Sequence, residues 1–420
     1  MTSPQPPDDA QNAGTLGYQP VVPAVEVGPV PQADRVVGID VVRGVALLGI
    51  LLLNIRTFGM ISDAYIYPFA DSAIDEAAFA ITTTFAQGKF ITIFSGLFGV
   101  GLLLASRRRE EQGLPVWPTF LRRTALLAMI GLAHMLLIWF GDILFHYALI
   151  GIVAFSMRGL NAKVLALLAV VGHLTAVAIS AFFLGLALLA VQFDDSIASS
   201  ADVLLMTDAA VEAEVEGFTG GYADQLQARL GLVAIMQPFL LFLAGPATLG
   251  SMLGGIALWK CGFFTTRLPS IALCVVLLAI GWGGTGALVY WHWGDDWPVG
   301  RWMFLATTLV PLLAVPSAIG IAGLVLRMQN ALSLLAVVGK TALSNYLFQS
   351  VVATFVFYGG WGLGYFGTIG YAGQIGVVVG IWLVQVPLSY LWLKAFRFGP
   401  VEWLWRSATY ARLVRLRSTP

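Results

Sequence analysis

The chain has 420 residues, of which 58% are hydrophobic and only 11% charged, and its mean hydropathy is +0.83. Ordinary soluble domains carry about 25% charged residues, so a soluble fold is excluded and an all-α polytopic membrane bundle is expected. Basic and acidic residues balance at 23 each, which leaves no basic domain for nucleic acid.

Residues 1–34 are polar and rich in proline, with no apolar periodicity, and read as a disordered tail. They lack the basic start and short apolar core of a cleaved leader, so the first span is expected to be retained. Apolar stretches long enough to cross about 30 Å of hydrocarbon follow at roughly 40–58, 80–104, 120–140, 143–157, 164–191, 230–258, 268–291, 302–326, 340–358 and 374–394, about ten crossings, of which the fourth is short. Placing the N-terminus inside puts all 23 basic residues except Arg56, Lys89, Arg229 and Arg301 on the cytoplasmic side. Both termini are then cytoplasmic, residues 35–408 form the membrane domain, and 409–420 form a basic tail.

The acids gather on the outer side, as Asp63, Asp71, Asp75 and Glu76 in one loop and as Asp194 to Asp224 in another. The second loop, about 195–228, reads as one amphipathic helix ended by Gly217 and Gly220-Gly221, too small to be a catalytic domain. Cys261 and Cys274 stand thirteen positions apart, about 20 Å along a helix, so neither a disulfide nor a metal site is expected. Gly362-Leu363-Gly364-Tyr365-Phe366-Gly367 matches a dinucleotide fingerprint by letter only, because no strand precedes it. Gly250-Ser251-Met252-Leu253-Gly254 reads as a close-packing helix face.

Polar residues at membrane depth are expensive and mark either helix bridges or sites. Asp40 and Arg43 open the first span one helical turn apart, within ion-pairing reach. His134 lies about 21 Å into the third span, and Asp142 follows at its outer end, with His146 and Tyr147 just beyond. A carboxylate that orients an imidazole suits general-base work near neutral pH; a histidine that only donates to a neighbouring helix has the same spacing. His173 and His292 read as structural. Asn54, Asn345 and Gln349 either bridge helices or line a cavity. Lys89 reads as a snorkelling residue or a partner for an outer acid. Arg107, Arg108 and Arg109 with Arg122 and Arg123 bracket one inner loop, suited to anionic lipid or a donor's phosphates and equally explained by orientation alone.

Several stretches together resemble the YeiB-like bacterial membrane family, whose C-terminal half is domain of unknown function 418. They are Asp40-x-x-Arg43-Gly44 with Asn54, Lys89-Phe90 leading to Leu97-Phe98-Gly99, His134 with Gly141-Asp142-Ile143-Leu144, Gly221-Tyr222-Ala223 followed by Arg229, Gly339-Lys340-Thr341-Ala342-Leu343-Ser344-Asn345-Tyr346, and Gly399-Pro400-Val401-Glu402-Trp403-Leu404-Trp405-Arg406. The resemblance implies a multi-pass protein of the bacterial cell membrane, with 229–408 as the domain of unknown function. The first span is also similar to that of transmembrane acyltransferases of the heparan-sulfate N-acetyltransferase type, which move an acyl group from cytoplasmic acyl-CoA to a sugar on the far side. Those relatives carry a histidine in the outer loop after span one, whereas none stands between Asn54 and Phe79 here.

On that resemblance His134 is the candidate base and Asp142 its orienting acid. Asp40, Arg43, Asn54, Arg229 and Asn345 are candidate substrate contacts, and Arg107, Arg108, Arg122 and Arg123 candidate donor-phosphate contacts. Acyl-CoA is the implied co-substrate, with no resident cofactor; the implied partners are membrane lipids, an envelope glycan or lipid acceptor, and a second copy of the chain. The alternative, a transporter of a small solute or envelope precursor, uses the same polar residues as a pathway.

Overall fold

The computed structural model describes residues 36–193, 199 and 204–417. The Pro-rich tail of 1–34 and part of the outer segment, including Asp194, Asp195 and Asp202, lie outside the described residues. Those described are helical, joined by turns, with no named strand. Leaving a lipid-facing backbone amide unpaired costs several kcal/mol, so a helix that satisfies its own amides is the form an apolar run takes in a bilayer.

The helices are α1 Val37–Gly59, α2 Ala73–Phe85, α3 Lys89–Glu111, α4 Trp117–Leu137, α5 Leu144–Met157, α6 Ala162–Phe193, α7 Asp208–Thr219, α8 Tyr222–Phe239, α9 Gly245–Lys260, α10 Ile271–Leu278, α11 Gly284–Trp293, α12 Val299–Arg327, α13 Ala336–Lys340, α14 Ala342–Phe357, α15 Tyr371–Ala395 and α16 Pro400–Tyr410. Two π-turns, Leu240–Ala244 and Ala279–Gly283, fuse α8 to α9 and α10 to α11. Among the described residues eight helical segments are long and apolar enough to cross a membrane, and Leu144–Met157 and Ala342–Phe357 are shorter apolar helices. These ten coincide with the expected spans, including the short fourth one.

Boundaries move where local chemistry overrides hydropathy. The second expected span, 80–104, is broken: α2 ends at Phe85, Gly88 takes a left-handed φ of 76°, and α3 begins at Lys89. The outer amphipathic helix passes through Gly217 and stops at Gly220, after which the Asp224 carboxylate accepts the Gly221 N–H at 2.8 Å and starts α8.

Helix α1 is central, packing on α3, α12, α13, α14 and α15, whereas α6 and α15 turn long apolar faces outward. Small residues set the closest approaches. Gly44 and Gly339 let α13 cross against α1, Gly96 and Gly255 join α3 to α9, and Gly250 meets Ala169 of α6, so the Gly250–Gly254 stripe is a packing face. Side-chain bonds fix which ends lie together. Trp405 Nε1 of α16 donates to the Arg123 carbonyl at 2.9 Å, at the Arg-rich end. Tyr222 Oη donates to the Leu137 carbonyl at 3.0 Å, at the acidic end.

Candidate functional site

Helix α4 ends at Leu137, and the chain turns back so that Asp142 enters α5 beside the last turn of α4. Gly131 permits this, because a Cβ there would meet the Phe145 amide and the Asp142 carboxylate. Asp142 Oδ2 accepts the Phe145 N–H at 2.8 Å, which holds the start of α5, and Oδ1 lies 2.8 Å from His134 Nδ1. Both side chains are fully buried. An ionised Asp142 fixes the proton of the neutral ring on Nδ1 and turns the lone pair to Nε2. That Nε2 is buried and has no hydrogen-bond partner.

A cavity of about 1270 Å³ runs beside this pair, larger than the ~300–1,000 Å³ of most ligand pockets. Asp142, Trp139 and Tyr346 form part of its wall, and the Trp139 and Tyr346 rings flank the imidazole at 6.2 and 5.0 Å. His134 therefore stands one side-chain layer behind the surface. The cavity continues to Asp40, Arg43, Arg107, Arg109, Arg123, Lys340 and Arg406 at the basic end, and to Ser62 and Asp63 at the acidic end.

The expected site residues divide clearly. Asp40 and Arg43 pair at 2.9 Å and both line the cavity, with Asp40 Oδ2 left unpartnered. Asn54 lines it from α1, while Arg107, paired to Glu111 at 2.7 Å, and Arg123, over the Trp405 ring at 4.4 Å, line its basic mouth. Arg122 is exposed and not part of the lining, and the Arg108 side chain lies outside the described residues.

Arg229 and Asn345 are also apart from the cavity wall. Arg229 is buried and its Nε donates to the Leu136 carbonyl at 3.1 Å, satisfying the C-terminus of the His134 helix. Asn345 bonds Thr341 and Ser389, and Gln349 bonds Gln385, so these amides bridge α14 to α15. His173 with Ser251 at 3.3 Å and His292 between the Leu288 carbonyl and Arg301 Nε make structural bonds. Lys89 neither snorkels nor meets an acid: fully buried, its Nζ donates to the Thr83 carbonyl and Thr285 Oγ1.

Other groups have partners that the sequence did not reveal. Tyr147 Oη and Ser95 Oγ bond at 2.6 Å across the cavity wall, and His146 Nε2 meets Thr248 Oγ1 at 3.1 Å. Glu402 of α16 accepts the Leu343 and Ser344 amides and the Ser344 hydroxyl, capping α14. At the acidic end Glu214 of α7 accepts the Ser62 amide at 2.9 Å and its hydroxyl at 3.1 Å, while Asp63 accepts the Met206 amide at 2.7 Å. Burial lifts the Glu214 carboxyl to about 7 against the pull of those bonds, with Asp63 nearby adding to the rise.

The family model for a protein of unknown function (DUF418) matches residues 258–412. YeiB of Escherichia coli strain K12 is 35% identical over 393 residues, covering 90% of this chain and 96% of that protein. YxaH of Bacillus subtilis strain 168 is 31% identical over 405 residues, covering 90% and 94%. A 39.9 kDa protein encoded in the amylase 3′ region of Bacillus acidopullulyticus is 26% identical over 385 residues. No solved structure matches. With a third of its positions identical to YeiB across nine-tenths of its length, a DUF418 match at its C-terminal end and a bundle of membrane-length helices, the chain belongs to the YeiB/DUF418 family of multi-pass membrane proteins.

Proposed function

We propose that the protein is a membrane-embedded acyltransferase that takes an acyl group from a coenzyme A thioester. The observation that carries this reading is the buried, unpartnered Nε2 of His134, whose ring is oriented by Asp142 at 2.8 Å beside a large cavity. A base needs a lone pair that nothing else occupies and a second group that fixes the tautomer. The donor's phosphates suit the mouth lined by Arg43, Arg123 and Lys340. Arg123 and His134 are eleven residues apart on α4, about 16 Å along the axis, a distance suited to a donor whose thioester ends a long flexible arm.

In the reaction the Trp139 or Tyr346 ring, which separates His134 from the cavity, swings aside, and an acceptor hydroxyl or amine attacks the thioester carbonyl and gives its proton to His134 Nε2. The C–S bond then breaks, and the leaving thiolate takes that proton to become the free thiol. Asp142 stays ionised and stabilises the imidazolium between the two steps. With the Arg-rich end cytoplasmic, the donor enters there and the acceptor from the opposite side.

The test is turnover of acyl-CoA by the purified protein in nanodiscs. His134→Ala and Asp142→Asn each lower kcat by about 10²–10⁴-fold while the protein still folds, with a lowered unfolding temperature from the broken buried bond. Full activity in His134→Ala overturns the assignment of the base, and no binding of acyl-CoA overturns the class. A second reading rests on the cavity lining that extends from Asp40 and Arg43 to Ser62 and Asp63: a path reaching both ends suits a transporter. Solute flux into vesicles without acyl transfer would favour it.

A further inference from the structure

A second cavity, about 260 Å³, lies between α5 and the bend that joins α8 to α9. The bend has a local cause. Pro238 removes a backbone donor inside the helix, and the Leu240–Ala244 π-turn widens the spiral just after it. Leu149, Leu241 and Phe242 form the apolar wall, and Phe242 is 68% exposed on the outward side of the bundle. His146 lines both this cavity and the large one, so the two adjoin at its ring.

Two polar atoms of the residues lining this pocket lack partners. His146 Nδ1 and Gln237 Nε2 are both buried without a hydrogen bond, and the His146 residue is only 4% exposed. Its Nε2 is already engaged by Thr248 Oγ1. With the Thr248 hydroxyl donating to Nε2, the ring proton sits on Nδ1, and two of the residues that line the pocket then carry buried N–H donors with no acceptor. Burying such donors unpaired is unfavourable, and the Leu149, Leu241 and Phe242 wall makes the rest of the pocket apolar. An acceptor oxygen carried by an otherwise apolar molecule suits both features.

We propose that this pocket is a lateral lipid site, in which the ester carbonyl of a bilayer lipid accepts from His146 Nδ1 and Gln237 Nε2 and its acyl chain lies along Leu149, Leu241 and Phe242. The volume falls just below the range of whole-ligand pockets and holds a chain segment, the rest of the lipid remaining in the membrane. Phe145 and His146 line this pocket, and the Phe145 amide is held by Asp142, so the pocket and the His134–Asp142 pair share the start of α5. That the lipid serves as the acyl acceptor rests on the transfer reading above; its binding does not.

The experiment places the full chain in phosphatidylethanolamine and phosphatidylglycerol vesicles with a trace of phosphatidylglycerol bearing a diazirine near the chain carbonyl. After irradiation, adducts are expected to concentrate on the peptides holding Leu149 and Leu241-Phe242, at least fivefold above the exposed α15 surface at Leu383 and Leu391. Gln237→Leu, which removes a donor, and Leu241→Trp, which fills the pocket, each bring that excess down to the α15 level. Even labelling across both surfaces, or an excess that survives both variants, overturns the site. Labelling at the pocket with no acylated lipid formed from acyl-CoA keeps the site and removes the acceptor role. Acylated lipid without the labelling excess leaves the transfer reading and removes the pocket.

Discussion

Arg56 and Lys89 keep two cationic side chains inside the bundle on neutral oxygens. Arg56 donates to the Tyr65 and Phe79 carbonyls and to the Thr82 and Thr83 hydroxyls, and its guanidinium lies 4.2 Å from the Phe79 ring centre. Lys89 takes the Thr83 carbonyl, one of the last of α2, where helix carbonyls have no further partner, and Arg56 holds the turn before it through Phe79, Thr82 and Thr83. Arg56→Met is expected to strand several of these acceptors and cost about 3 kcal/mol, read as a lower unfolding temperature by tryptophan fluorescence. Arg56→Lys should fall between, since one ammonium cannot reach four acceptors in a fork.

Glu214 works in the opposite sense, as an acid that burial holds protonated. Its carboxyl ordinarily titrates near 4.5 and here at about 7, so folded α7 retains a proton that the released segment gives up. The seat on Ser62 is firm below pH 4.5 and weakens as pH rises through 7, levelling off above that. Asp63, raised by burial though opposed by the Met206 amide, faces the same seat and shifts it in the same direction. Hydrogen exchange over residues 206–219, corrected for intrinsic rates, should be faster at pH 8 than at pH 6. In Glu214→Gln most of that difference is expected to vanish, and an unchanged pH response would show that the carboxyl is not its source.

At the scale of elements, the bundle is set by where helices touch without side chains between them. A Cβ at Gly255 would press on the backbone of Gly96, whereas nothing lies within 4 Å of a Cβ at Gly376 on α15. Gly255→Ala should therefore force α9 from α3 and destabilise by about 1–3 kcal/mol, the usual cost of overpacking. Gly376→Ala should be neutral or slightly stabilising on helix propensity; equal unfolding temperatures for the two would refute close packing as the reason for the stripe.

The helices themselves were legible because a bilayer imposes one length and one composition on every crossing, and the Asp40–Arg43 pair because its i,i+3 spacing predicts it, whereas the spacing of His134 and Asp142 suited a purely structural histidine equally well. Asn345 was legible as either a helix bridge or a cavity residue, and its bond to Ser389 makes it the bridge; Arg229, expected at the substrate, was not legible as a helix tie because its partner Leu136 is distant in sequence. The break at Ala86–Gly88 escaped because a window of membrane-spanning length averages over the short polar interruption Gln87-Gly88-Lys89, and Glu214 escaped because its partner lies 152 positions away.

For the molecule as a whole, the distribution of charge commits to one orientation in the membrane. The ends of α3, α5 and α9 gather at the basic side: Arg158 pairs with Glu110, and Lys260 donates to the Arg158 and Leu160 carbonyls. Cys261 is exposed beside Lys260, while Cys274 is buried, so the native chain carries one reactive reporter at that end and one silent thiol. The basic side is expected to be cytoplasmic, because translocating Lys and Arg against the membrane potential is disfavoured. An impermeant maleimide should leave Cys261 unlabelled in intact cells and label it once the membrane is permeabilised. In a Cys261→Ser background, Asp71→Cys, exposed in the loop after α1, should label in intact cells. The reverse pattern would invert the molecule, moving the arginine-lined mouth of the cavity away from cytoplasmic acyl-CoA and taking the transfer reading with it.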